Sequence, residues 1–376
     1  MLSLYIHIPF CVKKCLYCGF YSTPYTADSA DSFVSALGLE AARSRDRFSD
    51  RIFDTLYIGG GTPTALSCGQ LELVFRTIRE QFRISGDAEC TVEANPNSIT
   101  SEGLALLIDI GVNRLSIGVQ SFSEGILRTL GRLHTAEEAA EAVRQARSAG
   151  FRNIGIDLIY GVPGQTCSDW KHSLESALAL TPEHISVYGL SLDEGTWFAS
   201  EAEAGRLLLP DDEAVVTMSA FAVAALMEAG YGHYEISNFA RPGFACRHNV
   251  NYWERGAYLG IGPGASSFLD GRRFSNSMDN EEYCRRLHAG LSSVVMSETI
   301  EPSQAAAEAV MLGLRMEKGV DLARFGQEHG ASALECLTSK GKRLAHSGLA
   351  SLSPGRLRLT EHGMQLSDSV IARLTA

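Results

Sequence analysis

Long apolar runs, an excess of basic residues and low-complexity segments are all missing from this sequence of 376 residues. No stretch approaches the ~20 consecutive apolar residues that a transmembrane helix needs, so we expect no membrane span. The first residues contain neither the basic stretch nor the long apolar core of a signal peptide. The net charge of −11 argues against a general nucleic-acid surface, because such a surface must be basic to displace counterions. Nine cysteines, an odd number without a secretion signal, indicate a reducing compartment, and we expect a cytoplasmic protein.

Three of the nine cysteines are closely spaced near the start of the chain: Cys11, Cys15 and Cys18. The spacing C-x3-C-x2-C supplies three thiolates, one fewer than a 4Fe–4S cluster usually takes from protein. The fourth iron then keeps an open coordination position, where a small molecule can bind and react. Zinc binds to the same thiolates, but no fourth ligand follows at a tight spacing, so a zinc site needs a distant His or Cys. The spacing therefore predicts an open iron–sulfur site, with zinc as the alternative.

The first half of the chain alternates short apolar runs with amphipathic segments. The predicted strands are Leu4–Ile8, Thr55–Ile58, Cys90–Ala94, Arg114–Val119, Asn153–Ile159 and His184–Leu190. Helical periodicity lies between them, for example over Leu71–Gln81 and Ala136–Ser148. Such strand–helix units in succession predict a parallel α/β fold. The pattern alone fits a barrel and an open sheet equally.

The second half of the chain has a different pattern. Asp211–Gly230 predicts a long helix, and Ser237–Gly264, rich in glycine, aromatic and polar residues, predicts loops with short strands. A boundary is expected at Pro302, after which helical segments and the strand-like Arg356–Thr360 predict a small helix–wing module. We therefore expect two domains, residues 1–298 and 299–376.

Polar residues and glycines follow the ends of the predicted strands, where parallel α/β proteins collect their chemistry. The three cysteines follow the first strand and Gly59–Gly61 the second, while Glu93 closes the third and Gln120 the fourth. Asp157 lies in the fifth strand, and Ser191 follows the sixth. Each residue alone has a structural alternative, such as a helix cap or a core turn. Their shared position predicts one ligand that lies across all the strand ends.

The glycine-rich segment Gly59–Thr64 lets a ligand approach the backbone closely, since glycine lacks Cβ and tolerates positive φ. It is not a phosphate loop, because the Lys-Ser/Thr ending is missing and Pro63 prevents a helix from following directly. We expect its exposed backbone N–H and C=O groups to bind the ammonium or carboxylate of an amino acid. A tight strand-to-helix turn is the structural alternative.

Taken together, these segments resemble the radical S-adenosylmethionine superfamily. Within it, they resemble the coproporphyrinogen dehydrogenase-like branch, which contains oxygen-independent oxidases and haem chaperones. The motifs that carry the resemblance are Tyr5–Cys11, Gly59–Thr64, Val92–Pro96, Arg114–Phe122 and Asp157–Gly164, and they occur in one order along nearly the entire chain. The resemblance implies a partial (β/α)6 TIM-like barrel with a small C-terminal helical, winged-helix-like domain.

The resemblance also implies the cofactors and the residues that hold them. Cys11, Cys15 and Cys18 are implied ligands of a 4Fe–4S cluster, whose open iron S-adenosylmethionine chelates through its amino and carboxylate groups. The implied S-adenosylmethionine contacts are Tyr5, Tyr17, Gly60, Gly61, Thr62, Glu93, Gln120, Arg132, Asp157, Ser191 and Ile261. Reduction of the sulfonium by such a cluster releases a 5′-deoxyadenosyl radical, which needs a site closed to water.

Two departures separate this chain from the oxidases of the branch. The oxidases carry a further cysteine two positions after the third ligand, where this chain has Phe20. They also have an N-terminal extension over the substrate, whereas only ten residues precede Cys11 here. Both departures match the haem-chaperone type, known as HemW.

A third indication is the segment His248-Asn249-Val250-Asn251-Tyr252-Trp253. It resembles the HemW-type motif H-N-x-x-Y-W, in which the histidine is the implied haem contact. Neutral imidazole is a common axial ligand of haem iron, and the two aromatic residues can stack on a porphyrin. Cys246 is a second soft ligand, although a buried free thiol is its structural alternative. For His248 the structural alternative is a loop residue that ties backbone groups together.

The expected function is therefore that of a haem chaperone with a radical S-adenosylmethionine core. Its expected partners are haem and haem-accepting proteins such as respiratory cytochromes, with transient membrane contact and a homodimer left open, and with no nucleic acid. The alternative is an oxygen-independent coproporphyrinogen III dehydrogenase, which decarboxylates its substrate oxidatively by a 5′-deoxyadenosyl radical. We expect that enzymatic activity to be absent and assign no catalytic residue.

Overall fold

The computed structural model describes residues 1–353 and 355–375. The strands are β1 (Leu2–Ile8), β2 (Phe10–Cys11), β3 (Thr23–Pro24), β4 (Ile52–Gly60), β5 (Arg83–Ala94), β6 (Arg114–Gln120), β7 (Ile154–Tyr160), β8 (His184–Gly189), β9 (Gly232–Glu235), β10 (Asn238–Ala240), β11 (Ala257–Ile261), β12 (Ser266–Leu269), β13 (Arg272–Asn276), β14 (Val294–Thr299), β15 (Val320–Asp321), β16 (Ala350–Ser353) and β17 (Arg356–Leu359). The α-helices are α1 (Ala27–Ser44), α2 (Cys68–Gln81), α3 (Ser101–Asp109), α4 (Glu124–Leu130), α5 (Ala136–Ala149), α6 (Cys167–Ala179), α7 (Trp197–Glu203), α8 (Asp212–Glu228), α9 (Arg247–Trp253), α10 (Asn280–His288), α11 (Pro302–Gly313), α12 (Leu322–His329), α13 (Ala331–His346), α14 (Glu361–Gln365) and α15 (Ser367–Thr375).

Twelve strands form one sheet in the order β14-β13-β12-β11-β1-β4-β5-β6-β7-β8-β10-β9. In the middle of this order, neighbouring strands pair in parallel: β11, β1, β4, β5, β6, β7 and β8. The strands on either side of this group pair antiparallel. Residues from the ends of all six strands β1 and β4 to β8, or from the loops that follow them, line one cavity. The sheet therefore curves into a partial barrel, and the α/β prediction is confirmed in this form.

All six predicted parallel strands occur, with ends that differ by a few residues at most sites. Helix α5 begins after Thr135, whose side chain accepts from Glu138 N in a capping box, and it ends at Gly150 with φ 119°. Helix α2 begins three residues before the predicted start, because Ser67 and Gln70 form a capping box there. Local capping chemistry therefore decides where these helices begin.

The segment predicted as loops and short strands contains one helix that its pattern did not reveal. Helix α9 has seven residues, and its buried positions are His248 and Asn251. Because these inward-facing residues are polar, the apolar period that normally indicates a helix is absent.

Three separate clusters of buried apolar residues stabilise the described part of the chain. The smallest lies beside the cysteine loop and consists of Ile126, Leu130, Ile159, Val162 and Phe198. The other two are larger. The larger core lies between the barrel strands and their helices, and its buried members range from Leu4 to Leu287. The smaller core joins α11 and α12 to α13, α15 and the three-stranded sheet β15-β17-β16. Pro302 is the first residue of α11, a position that suits its fixed φ and missing N–H.

Helix α1 is tied to the antiparallel flank of the sheet through a buried carboxylate, Glu40. Its Oε2 accepts from Tyr283 Oη at 2.6 Å and from Gly262 N at 2.9 Å. Its Oε1 accepts from Asn276 Nδ2 at 2.7 Å and from Ser293 Oγ at 2.9 Å. Four donors from four different segments therefore converge on one side chain.

Among the helices within residues 1–353 and 355–375, none combines the length and the apolar character of a membrane span.

Candidate functional site

A cavity of about 390 Å³ lies at the carboxyl ends of the parallel strands. Twelve of the residues predicted for the cofactor site line it: Cys11, Cys15, Tyr17, Cys18, Gly60, Gly61, Thr62, Glu93, Gln120, Arg132, Asp157 and Ser191. The volume falls within the range of small-molecule sites. One ligand in this cavity can therefore reach residues from every strand end.

The cysteine loop connects β2 to β3 and is held by backbone hydrogen bonds at its middle. Leu16 N donates to Leu130 O at 3.2 Å, and Phe198 N donates to Leu16 O at 3.2 Å. Inside the loop, Cys18 N donates to Cys15 O at 3.3 Å. All three cysteines are free thiols and partly buried, and all three line the cavity.

The three thiols do not converge on a single point. Across the described residues, no group of three or more His, Cys, Asp or Glu side chains is placed to hold one metal ion. A cubane needs no such convergence, because each thiolate binds a different iron. The ligand role of the cysteines stays a prediction, and the cluster fits a loop that places three thiols around one cavity.

A chain of polar contacts links two of the cysteines. Cys11 Sγ lies 3.5 Å from Thr62 Oγ1, which accepts from Asn95 Nδ2 at 2.7 Å. Arg132 Nη2 donates to Asn95 Oδ1 at 2.6 Å, and Arg132 Nη1 donates to Cys15 Sγ at 3.4 Å. The Arg132 guanidinium thus lies beside the Cys15 sulfur and joins both cysteines to one polar network.

Asn95 is a residue that sequence reasoning missed as part of the site. It follows β5 directly, two residues after Glu93, and it lines the cavity. The signal in the sequence that could have revealed Asn95 was its position directly after a strand end. Its two hydrogen bonds are with Thr62 and Arg132, which are distant in sequence.

The glycine-rich segment is packed tightly against the cysteine loop. A Cβ on Gly61 would lie 2.5 Å from Phe10 O, and Gly60 has φ 110°. Gly61 N donates to Ile8 O, Thr62 N to Phe10 O and Gly60 N to the Glu93 carboxylate. The N–H groups of these three residues are therefore not free, contrary to expectation, and binding of an amino acid by the C=O groups of the segment stays a prediction. Close approach of the backbone explains the glycines instead.

Glu93 lies between the cavity and the barrel interior. Its Oε1 accepts from Tyr57 Oη at 2.7 Å and its Oε2 from Gly60 N at 3.1 Å. Burial raises the pKa of Glu93 to about 7, and the neighbouring Asp157 carboxylate adds to the rise. A cationic ligand in the cavity would favour the ionised form of this carboxyl group.

Gln120 is held in a backbone conformation that is uncommon for residues other than glycine. Its φ is 68°, and the register between β6 and β7 shifts next to it. Such strained residues concentrate at binding sites. On the adjacent strand, Asp157 accepts from Ser116 Oγ at 3.3 Å, and burial raises the Asp157 pKa.

Three predicted site residues do not line the cavity: Tyr5, Ile261 and His248. Tyr5 is directed towards the interior of the barrel, where its hydroxyl lies 3.0 Å from His7 Nδ1. Ile261 is fully buried on β11 and pairs with Ile6 of β1. Contacts of Tyr5 and Ile261 with S-adenosylmethionine stay predictions, since neither residue lines the cavity.

His248 lies on helix α9 and contacts strand β4 at Thr55. Its Nδ1 is 2.8 Å from Thr55 Oγ1, and its Nε2 is 2.9 Å from Tyr252 Oη. Its backbone N donates to Glu89 Oε1 at 3.0 Å. The ring is 1% exposed, and both of its nitrogens are engaged. Haem ligation by His248 stays a prediction, and it requires one of these two ring contacts to break.

Burial and positive charge keep His248 neutral. Together, burial first and then the Arg114 guanidinium lower the pKa of His248 to about 3. Arg114 is itself fully buried, and its Nε and Nη1 have no hydrogen-bond partner in the described part of the chain. Burial also raises the pKa of Cys246 to about 12, so this residue is the buried free thiol of the structural alternative.

The side chains of Tyr57 and His248 lie between the cavity and the interior end of the barrel. The Tyr57 ring, whose hydroxyl reaches Glu93, lies 4.9 Å from the His248 ring between centroids. Helix α9 therefore packs under the cofactor cavity. At the opposite end, Phe20 lines the cavity and is 70% exposed.

Comparison with known proteins agrees with this geometry. Residues 5–177 match the Radical SAM superfamily, and residues 300–366 match the HemN C-terminal domain. The chain is 36% identical to "Heme chaperone HemW" of Lactococcus lactis, covering 99% of this chain and 96% of the relative. It is 36% identical to the protein of the same name from Bacillus subtilis, with 98% of each covered.

Among solved structures, coproporphyrinogen III oxidase (HemN) from Escherichia coli has the same fold, with a TM-score of 0.88 and 25% identity. The alignment covers 100% of this chain and 90% of that chain. Because the relatives match over nearly their full length, the chain belongs to the HemW family of the radical S-adenosylmethionine superfamily.

Proposed function

We propose that this protein binds haem and delivers it to haem-accepting proteins such as respiratory cytochromes. The observation that carries the proposal is the similarity, over almost the whole chain, to proteins named heme chaperone HemW. Phe20, which stands where the oxidases of the branch have a cysteine, supports it. A cytoplasmic location, transient membrane contact and a homodimer belong to the same proposal.

We propose that the barrel cavity holds a 4Fe–4S cluster on Cys11, Cys15 and Cys18 and binds S-adenosylmethionine beside it. The cluster and S-adenosylmethionine together supply one-electron reductive chemistry. Arg132 donates to the Cys15 sulfur, and Glu93 provides a negative charge for the cationic end of the ligand. The curved sheet around the cavity limits the access of water to both.

The proposal predicts haem transfer without decarboxylation. Protein loaded with hemin should show a Soret band, and that band should shift to the acceptor's spectrum when an apo b-type cytochrome is added. The measurement is absorption spectroscopy followed by separation of the two proteins. The same hemin titration with His248→Ala tests the ligand assignment, since ligation by His248 requires a weaker or displaced Soret band.

The competing function, coproporphyrinogen III dehydrogenase, is suggested by the structural similarity to HemN. An anaerobic assay with reductant, S-adenosylmethionine and coproporphyrinogen III separates the two. Formation of protoporphyrinogen would make the enzyme the better description. Absence of haem transfer in the first experiment would refute the chaperone proposal independently.

The raised pKa of Glu93 predicts pH-dependent binding of S-adenosylmethionine. The carboxyl group is protonated below pH 7 and cannot pair with a cation, so affinity should rise about fivefold between pH 6 and pH 7. The sulfonium keeps its charge throughout this range. Isothermal titration calorimetry at fixed ionic strength measures the dependence.

Glu93→Gln should flatten this pH dependence, and any slope that remains reports on Asp157. The matched control is Glu72→Gln, an exposed carboxyl group on α2, which should retain the wild-type slope. An unchanged slope in Glu93→Gln would show that another group is responsible.

A further inference from the structure

Large apolar side chains are exposed to solvent at the mouth of the cofactor cavity, its open end. Phe20 and Tyr188 line the cavity, and Leu192 and Trp197 lie in the segment that follows β8. Their side chains are between 38% and 70% exposed. We call these four residues the apolar rim. None of them is assigned to the cluster or to S-adenosylmethionine, so the proposed cofactors do not explain their exposure.

The apolar rim is built from two segments of the chain that lie against each other. A Cβ on Gly19 would lie 2.8 Å from Asp193 Cβ, so the backbone before Phe20 packs on the segment after β8. Asp193 O accepts from Thr196 Oγ1 at 2.7 Å, and this turn leads into α7, which begins with Trp197. Helix α7 is also hydrogen-bonded to the cysteine loop. The four side chains therefore form a patch around one opening, and patches of this kind usually mark a binding site.

Two lysines lie at the same opening. Lys13 and Lys14 are exposed, and both line the cavity. The chain has only six lysines, and the lysine ion pairs within the described residues are those of Lys171 and Lys318. Both ammonium groups at the mouth are therefore free to bind an anion, in a chain whose net charge is −11.

The carboxylates that line the cavity do not compensate these two charges. Glu93 and Asp157 belong to β5 and β7, inside the barrel. Asp193 lies on the side of Gly19, where its Oδ1 accepts from Ser191 Oγ at 3.0 Å. The mouth therefore presents an apolar surface with a cationic edge.

We propose that a tetrapyrrole lies across the mouth of the cofactor cavity, with its ring on the apolar rim and its carboxylates on Lys13 and Lys14. A porphyrin with two propionates has a flat apolar face and two anions at one edge, which matches this distribution. The inner part of the cavity, at Glu93 and Asp157, stays available to S-adenosylmethionine. This inference rests on the proposed function, since haem is the tetrapyrrole that a haem chaperone would carry.

The first test compares protoporphyrin IX with its dimethyl ester. Wild-type protein should bind the diacid about tenfold more tightly, because the ester cannot form ion pairs with lysine. Lys13→Gln combined with Lys14→Gln should abolish this preference. The matched control is Lys171→Gln combined with Lys342→Gln, which removes two exposed lysines that do not line the cavity and should keep the preference. Fluorescence titration measures the affinities, and both double variants should reconstitute the same iron content.

A substitution in the apolar rim should have a different effect. Phe20→Ser should weaken binding of the diacid and of the ester alike, by about tenfold, because both lose the same apolar contact. Val295→Ser is the matched control, since Val295 is exposed on β14 and does not line the cavity. His248→Ala should leave both affinities unchanged, because a metal-free porphyrin has no iron to ligate.

The second test uses the unaltered protein. Acylation of lysines, followed by mass spectrometry, should show Lys13 and Lys14 protected when hemin is present, and Lys171 and Lys342 equally reactive with and without it. If wild-type protein binds no hemin, the proposed function fails. If it binds hemin while Lys13 and Lys14 stay reactive and their double variant keeps the preference for the diacid, the inference about the mouth alone is overturned.

Discussion

Replacement of Cys15 by serine is expected to remove almost all cluster iron from the protein. Each thiolate of a three-cysteine site binds a separate iron, and a serine oxygen is a poor substitute for the softer sulfur. Cys15 is also the thiol that accepts from Arg132, so its loss leaves that guanidinium facing a smaller and less polarizable atom. Iron and acid-labile sulfide per chain, measured after anaerobic reconstitution together with the visible absorption, give the result.

Cys167→Ser is the matched control, because Cys167 is exposed at the start of α6 and does not line the cavity. It should retain the wild-type iron and sulfide content. A cluster of full occupancy in Cys15→Ser would refute the ligand assignment. Zinc in place of iron, without the visible absorption, would favour the zinc alternative.

Glu40→Leu should lower the free energy of unfolding by about 3–5 kcal/mol. The substitution leaves the four donors Tyr283, Gly262, Asn276 and Ser293 without their acceptor inside the protein, and each unsatisfied buried donor costs about 1–3 kcal/mol before relaxation. Glu40→Gln keeps one acceptor oxygen and should be milder. Urea unfolding followed by circular dichroism measures both.

Glu80→Leu serves as the control, since Glu80 is an exposed residue near the end of α2. Its effect should stay within about 0.5 kcal/mol. Equal stability of Glu40→Leu and this control would mean that the carboxylate does not hold α1 to the antiparallel flank of the sheet.

The parallel strands could be predicted from the sequence because their residues are apolar in short runs between amphipathic helices. Leu115, Ile117 and Val119 of β6 are all fully buried, as their composition indicates. The apolar pattern could not predict the curvature, because curvature depends on how neighbouring strands twist against one another, whereas the family resemblance implied a partial barrel. Only the common cavity reveals it.

The site could be predicted where a residue follows a strand end, as Glu93 and Gln120 do. Asn95 was missed because its partners come from two other segments of the chain. Helix α9 was missed because His248 faces inward and is satisfied by hydrogen bonds with Thr55 and Tyr252. Residues that are buried by polar contacts leave no periodic apolar signal.

Helix α9 lies beneath the cofactor cavity, with Tyr57 between them. Phe20 lies at the exposed end of the cavity. Glu93, the partner of Tyr57, lines the inner part of the same cavity that Phe20 lines at its exposed end. A molecule bound later at Phe20 would therefore retain a ligand that is bound against Glu93. Slow release of the inner ligand would then reflect the order of loading as much as the strength of its own contacts.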